Sequence, residues 1–599
     1  MGRGGQRERS NLVRFVLAII CFVVAAGMIG VGIAQRTFLA SPDSVVLSAS
    51  IRGTAPLTVI DGASLNAFDG NQTFRIKGVD ATFAAYGRTD DVLGWVGDAS
   101  HNVLRYDAET GELVSTLVRG TESNVPNPDG SDLWFEGFTS EDGDLRFTVD
   151  VPKDVSFILA SDGTLPAPVN LELTWPLDNR TPFSTPLIIG GGGVLLGGLA
   201  LLLWAINAER RHGGPVRKPQ KMPKLPRQRR YKPSRTAVTT GEAPSGRRAA
   251  RPMVALTLLL AASVAVTGCS PGVDTAASIA APSPGASGPA ETIDSTLLAP
   301  AVTVRQIERI VARISEVSVE ADAALNAELI ATRFAGPALE LRTAEYKIRT
   351  ADSAIASSVP AIPAGPIRVT LPQQSGPDWP RTVFTVIQDE ADATIPPVAL
   401  LLIQDDARSS YKVHYAVTLE PSAVLPDVAP ASIGTARLGV DTPVLRLAPS
   451  AIALAYADIL AKDIESDSYL IFEAEGDSLR VAVGLAAQQQ RTADLPATAQ
   501  IAFDQTPGPG QIIVMATNDS GALVAVNLNE TVTVKPIEAG AAVNTSGAVK
   551  ALSGVATSNR GVIATYGDQL LFYVPAADST DKIVLLGYSQ GLVAASEVP

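Results

Sequence analysis

The chain has 599 residues, room for two or three domains, with 48 Lys and Arg against 61 Asp and Glu. Its two cysteines, Cys21 and Cys269, and three histidines, His101, His212 and His414, show no metal-ligand spacing, which excludes a structural zinc site. Charge is segregated: residues 207–251 hold 14 basic residues against Glu209 and Glu242, while the chain outside that stretch and the Arg-rich tail carries a net of about −28, a division rare in a single soluble domain.

Residues 1–14 read as a cytoplasmic tail with Arg3, Arg7, Arg9 and Arg14. From Phe15 to Ala34 the run is apolar and uncharged, long enough to cross a hydrocarbon core. No small-residue cleavage site ends it, so 15–34 is predicted to be an uncleaved transmembrane helix. Residues 35–185 carry short β-rich runs at 45–51, 73–79, 91–97, 112–118, 145–151 and 169–175, separated by turn chemistry such as Asp69-Gly70 and Pro128-Asp129-Gly130. This pattern predicts an exported, all-β antiparallel sandwich. Within it, Asp142-Gly143-Asp144 resembles the D-x-D triplet of glycosyltransferases, but no nucleotide-binding α/β pattern surrounds it. A hairpin turn, with a weak calcium site as its furthest reading, is expected instead.

A second transmembrane helix is predicted over 186–206, with Trp204 at an interfacial position. Its Gly193-x-x-x-Gly197 is the candidate for close helix packing. Residues 207–252 form a basic, Pro-rich loop. It lacks the aromatic interleaving of a nucleic-acid surface apart from Tyr231, so a topology-setting cytoplasmic loop touching lipid headgroups is expected, with no nucleic-acid partner.

Residues 253–268 are a shorter apolar run that ends Val266-Thr267-Gly268-Cys269-Ser270 after Arg247, Arg248 and Arg251. This arrangement resembles the lipobox of bacterial lipoprotein signals. The resemblance implies signal-peptidase cleavage between Gly268 and Cys269 and lipidation of the Cys269 thiol. The signal is internal, so an uncleaved third transmembrane segment is the alternative. Under either reading the Ser/Pro/Gly/Ala-rich stretch 269–300 is a flexible linker, and the positive-inside rule puts 35–185 and the chain beyond 269 outside.

Residues 301–430 and 431–599 each read as helix followed by strands. The first round has helical spacing over 302–354 and strands at 367–371, 381–387, 398–404 and 411–417. The second has helices from Pro449 and near 479–490, then strands at 499–503, 511–517, 522–528, 531–537, 562–566, 570–574 and 582–588. Helices followed by a curved sheet, twice, resemble NTF2-like and cystatin-like α+β repeats. Gly587-Tyr588-Ser589-Gln590-Gly591 matches G-x-S-x-G and resembles the nucleophile stretch of cutinase-like esterases, but no His follows it, and a β-turn is expected.

The predicted fold class is therefore multi-domain: two to three transmembrane helices, an exported β-sandwich, and an α+β C-terminal region built from two NTF2/cystatin-like repeats. The whole chain, Ala- and Val-rich and Lys-poor, resembles actinobacterial membrane-anchored envelope proteins of uncharacterised function. The expected function is non-enzymatic: a plasma-membrane protein, mostly extracytoplasmic, that binds an envelope protein, lipid or wall polymer without a cofactor or metal. The alternatives are an accessory subunit of a membrane enzyme or transporter, for example a glycosyltransferase-associated one, or a glycosyltransferase itself.

Overall fold

A computed structural model of the chain describes residues 5–39, 42–51, 54–78, 81–177, 183–210, 298–390, 392 and 394–599. The basic loop from residue 211, the candidate cleavage and lipidation positions Gly268 and Cys269, and the linker up to residue 297 lie outside the described residues. The chain divides into two compact units, residues 1–38 with 182–292, and residues 39–181 with 293–599.

The first unit holds the helices Gly5–Thr37 and Ser184–Arg210. Phe15–Thr37 and Ser184–Asn207 are long and apolar enough to cross a membrane. Only 17% and 11% of these windows is buried, the reverse of a soluble core helix. The helices pack antiparallel, with Gly32 against Ile188 at one end and Gly198 against Cys21 at the other. A Cβ on Gly191 would lie 2.7 Å from Ile29 Cγ1, and one on Gly198 would lie 3.0 Å from Cys21 Cβ. Gly193 and Gly197, the predicted packing pair, have open space within 4 Å and do not make this contact. With about 3.6 residues per turn, Gly191 and Gly198 share a helix face that Gly193 and Gly197 miss.

In the second unit, residues 44–176 form two sheets. Ser44–Ser50, Asn170–Pro176, Gln72–Lys77 and Asp144–Val149 pair in that order. Glu112–Val118, His101–Asp107, Leu57–Ile60, Val155–Ala160, Thr82–Arg88 and Glu136–Ser140 make the other sheet. Phe74, Phe147, Leu173 and Trp175 from the first meet Ile60, Leu104, Phe157 and Leu159 from the second in one core. Two predictions need correction. Leu57–Ile60 and His101–Asp107 run parallel, because the long connection between them makes a crossover. The predicted strand at 91–97 is the helix Thr89–Val96. Asp90 and Asp91 in its first turn suit the helix dipole, and Val92, Trp95 and Val96 are buried at helical rather than alternating spacing.

Residues 298–599 contain one nine-stranded sheet rather than one sheet per round. The strands Ile367–Pro372, Arg381–Ile387, Val398–Gln404 and Lys412–Leu419 form one wing. Val584–Glu597, Val562–Val574, Ala522–Pro536 and Ala499–Pro507 form the other, and Ile513–Ala516 pairs onto Ala522–Pro536. The wings join where Thr418 and Leu419 pair with Tyr588 and Gly587. Helices Val304–Ala324 and Gly336–Ala351 cover the first wing through Ile307, Ile314, Leu400 and Leu402. Helix Pro449–Lys462 covers the second through Tyr456, Val524, Val526 and Phe572. The alternate residues Phe384, Leu401 and Tyr415 of one wing meet Met515, Leu523 and Leu571 of the other in a third core. The order is therefore helix, sheet, sheet, helix, and the inner faces fill each other with side chains.

Local chemistry also corrects the element boundaries. The expected helix over 302–354 breaks after Ala324. Leu325 takes a left-handed conformation there (φ 51°), and Asn326 Oδ1 accepts from the backbone N–H groups of Glu328 and Leu329 at 3.0 Å. The predicted strands 522–528 and 531–537 are one strand, as are 562–566 and 570–574.

Candidate functional site

An open cleft of about 700 Å³ lies in the second unit. One wall is the first part of helix Val304–Ala324. A capping box starts this helix: Gln306 N–H donates to Thr303 Oγ1 at 3.3 Å, and Thr303 N–H donates to Gln306 Oε1 at 2.9 Å. Arg305, Arg309 and Arg313 follow at steps of four residues, which align them along one side of the helix. The opposite wall comes from the sandwich: Phe83 and Tyr86 on one strand, Glu136 and Gly137 on its neighbour, and the loop through Asp129, Trp134 and Phe135.

The three arginines differ in use. Arg313 Nη1 donates to Gly130 O at 2.6 Å and reaches Asp132 Oδ1 at 3.2 Å. Arg309 Nη2 donates to Trp134 O at 2.6 Å, and burial lowers its pKa. Arg305 is exposed and has no hydrogen bond or ion pair among the described residues. Tyr86 donates its hydroxyl to Glu136 Oε2 at 3.1 Å. Burial first, and then Glu136, push the Tyr86 phenol up to about 12, while Arg305 and Arg309 pull it down. The cleft thus offers one available guanidinium beside a half-buried tyrosine and Phe135. That set suits an anionic group next to a flat apolar or sugar surface.

The sequence-predicted candidates sit elsewhere. Ser589 lies inside the strand Val584–Glu597, with no turn at 587–591, and its Oγ accepts from Thr418 N at 3.1 Å. The strand–turn–helix setting of a nucleophile elbow is absent, and so is the expected β-turn. Asp142-Gly143-Asp144 is a bend, with Gly143 at φ 79°, but not the expected hairpin, because it carries the chain from one sheet to the other. Among the described residues no three His, Cys, Asp or Glu side chains group as a metal site.

A second polar cluster has a buried carboxylate at its centre. Asp568 sits mid-strand with none of its surface exposed, and its carboxylate oxygens receive no aligned hydrogen bond. Burial pushes it up to about 8. Glu530 beside it is also raised by burial, against Arg491 Nη1 at 3.4 Å and Gln590 Nε2 at 3.2 Å. Neither this cluster nor the arginine row is among the candidates named from the sequence. The row was legible as Arg305, Arg309 and Arg313 in steps of four. Asp568 was legible only as a polar break in an apolar run.

No curated protein and no solved structure matches the chain. The family model described as Domain of unknown function (DUF8094) matches residues 298–597. The match includes the arginine wall of the cleft and the whole nine-stranded sheet, but not the aromatic wall. It spans just over half of the 599 residues, and the chain belongs to the DUF8094 family.

Proposed function

We propose that the protein is a non-enzymatic binding protein of the cell envelope, held in the plasma membrane with its large unit outside, and that its cleft takes an anionic sugar polymer. The carrying observation is Arg305: an exposed guanidinium without a partner among the described residues, beside Tyr86 and Phe135 in an open cleft. The exported parts are strongly acidic, so an arginine row there is a local exception, and it would steer anions to this place. On this reading the two helix-backed wings correspond to two NTF2/cystatin-like repeats, each using its inner face to pack on the other instead of on a ligand. Ligand binding then falls to the sandwich boundary. The membrane helices and the lipobox at Gly268-Cys269, whether processed or retained as a third span, keep the cleft near the surface where envelope polymers lie.

The test is titration calorimetry of the detergent-solubilised chain with an oligogalacturonate and with its methyl ester, the same sugars without charge. The acid form is expected to bind and the ester to bind far more weakly. Arg305→Ala is expected to weaken the acid form by roughly 10- to 100-fold, the range for a hydrogen bond to a charged group. Equal binding of acid and ester, or an unchanged affinity in Arg305→Ala, would refute the proposed ligand class.

A further inference from the structure

Residues 39–181 and 298–599 are separated in sequence by the second apolar helix, the basic loop and the linker, yet they form one compact unit. The contact is specified by buried charge. Asp132, with no exposed side-chain surface, accepts from Arg333 Nη1 at 2.6 Å and Tyr411 N at 2.9 Å on one oxygen, and from Arg313 Nη1 at 3.2 Å on the other. Asp91 Oδ1 lies 2.7 Å from Arg381 Nη2, both side chains buried. Arg408 closes the end of helix Thr89–Val96: Nε donates to Trp95 O, Nη2 to Val96 O and Nη1 to Glu122 Oε2, each at 2.8 Å. The Trp379 ring lies so close to Gly94 that a Cβ there would come within 2.6 Å of it.

We infer that these two parts are obligate halves of one body whose interface does not need the chain that connects them. Apart, Asp132 would lose Arg313, Arg333 and the Tyr411 N–H, and Asp91 and Arg381 would lose each other, so neither half presents a finished surface alone. Two consequences follow. The first concerns topology. Phe15–Thr37 and Ser184–Asn207 each cross the membrane once on the proposed reading, which leaves the chain after Asn207 on the face opposite 39–181. Halves that share a core lie on one face. The chain therefore crosses an odd number of times between 208 and 297, and Met253 to Gly268 is the apolar run there. The second concerns cleavage. A cut between Gly268 and Cys269 would leave a two-helix piece and a lipid-bearing piece that stay docked, with the cleft shared between them.

The test uses the full chain with a specific protease site inserted after Gly285, an N-terminal affinity tag and a C-terminal epitope. The chain is cut after solubilisation in detergent. The C-terminal piece is expected to remain on the N-terminal tag in near-equal amount, and its appearance in the flow-through would overturn the inference. Asp132→Arg sets a like charge against Arg313 and Arg333, and is expected to release the piece after cutting. Arg408→Glu replaces it if Asp132→Arg does not accumulate. Retention as complete as in the unsubstituted chain would also count against the inference. The readout is docking alone, so it is independent of any ligand in the cleft.

Discussion

Arg381→Leu is expected to lower the unfolding free energy by about 3–5 kcal/mol, the usual cost of leaving one member of a buried ion pair behind. Arg381 is fully buried and Asp91 is 1% exposed, so solvent cannot take over the lost partner. The guanidinium also donates through Nη2 to Gly376 O at 3.0 Å and through Nε to Asp378 O at 3.3 Å, and it lies 4.0 Å from the centre of the Trp379 ring. Arg88, paired with the other Asp91 oxygen at 3.8 Å, is too far away to make a hydrogen bond in its place and offsets only part of the loss. Asp91→Asn with Arg381→Leu is expected to cost clearly less than the two single changes summed, since the second removes the charge that the first would strand. Urea unfolding of the four chains measures this. Additive costs would show that the pair does not couple.

Asp568→Asn is expected to make the protein more stable above neutral pH and to flatten its pH profile. The Asp568 carboxyl is raised from an ordinary value of 3.8 to about 8 in the fold, so folding at neutral pH takes up a proton that the unfolded chain has lost. Its stability is fully present below pH 4 and is lost as pH rises through 8. At about 1.4 kcal/mol per pH unit, the loss over that window reaches about 6 kcal/mol. Glu530 is raised as well, which adds to the same slope, while Arg491 at 3.4 Å opposes it. Groups other than Glu530, which is coupled to Asp568, act equally in both chains, so the difference between the two stability profiles reports Asp568 together with that coupling. Parallel profiles from pH 5 to pH 9 would refute the assignment.

The same residue shows where the sequence could and could not be read. Long apolar stretches and strand alternation were legible where one physical period governs: both long apolar helices, the sandwich runs at 45–51, 73–79, 112–118, 145–151 and 169–175, and the four strands of the first wing stand where expected, whereas Leu57–Ile60, Thr82–Arg88, His101–Asp107, Glu136–Ser140 and Val155–Ala160 were not among the expected strands. The joined strands were not legible. Asn527 to Glu530, Gly567 to Gln569 and Gly587 to Gln590 carry the residue types of turns. In the sheet they lie side by side, with Asn527 opposite Gln569, and Asp568 opposite Gln590. Gln569 Oε1 accepts from Ala416 N at 2.9 Å, and Ser589 Oγ from Thr418 N, so this polar belt joins the second wing to the first. Polar residues in a strand read as a break unless their partners are known, and the partners here lie far away in sequence. Docking of the sandwich was hidden for the same reason, since Asp91 and Arg381 are nearly 300 residues apart. Of the cleft, the spacing of Arg305, Arg309 and Arg313 was visible, but the wall opposite it was not.

On the proposed reading one body, built from both parts of the chain, stands on the outer face of the membrane. Thiol labelling of intact cells tests it directly, in a chain whose Cys21 and Cys269 are replaced by serine and which carries one new cysteine at a time. Glu109→Cys and Asp504→Cys are exposed positions on the two halves. Both are expected to react with a membrane-impermeant maleimide, while Arg235→Cys in the basic loop is expected to react only after the membrane is opened. Protection of Asp504→Cys in cells where Glu109→Cys reacts, or labelling of Arg235→Cys in intact cells, would contradict it.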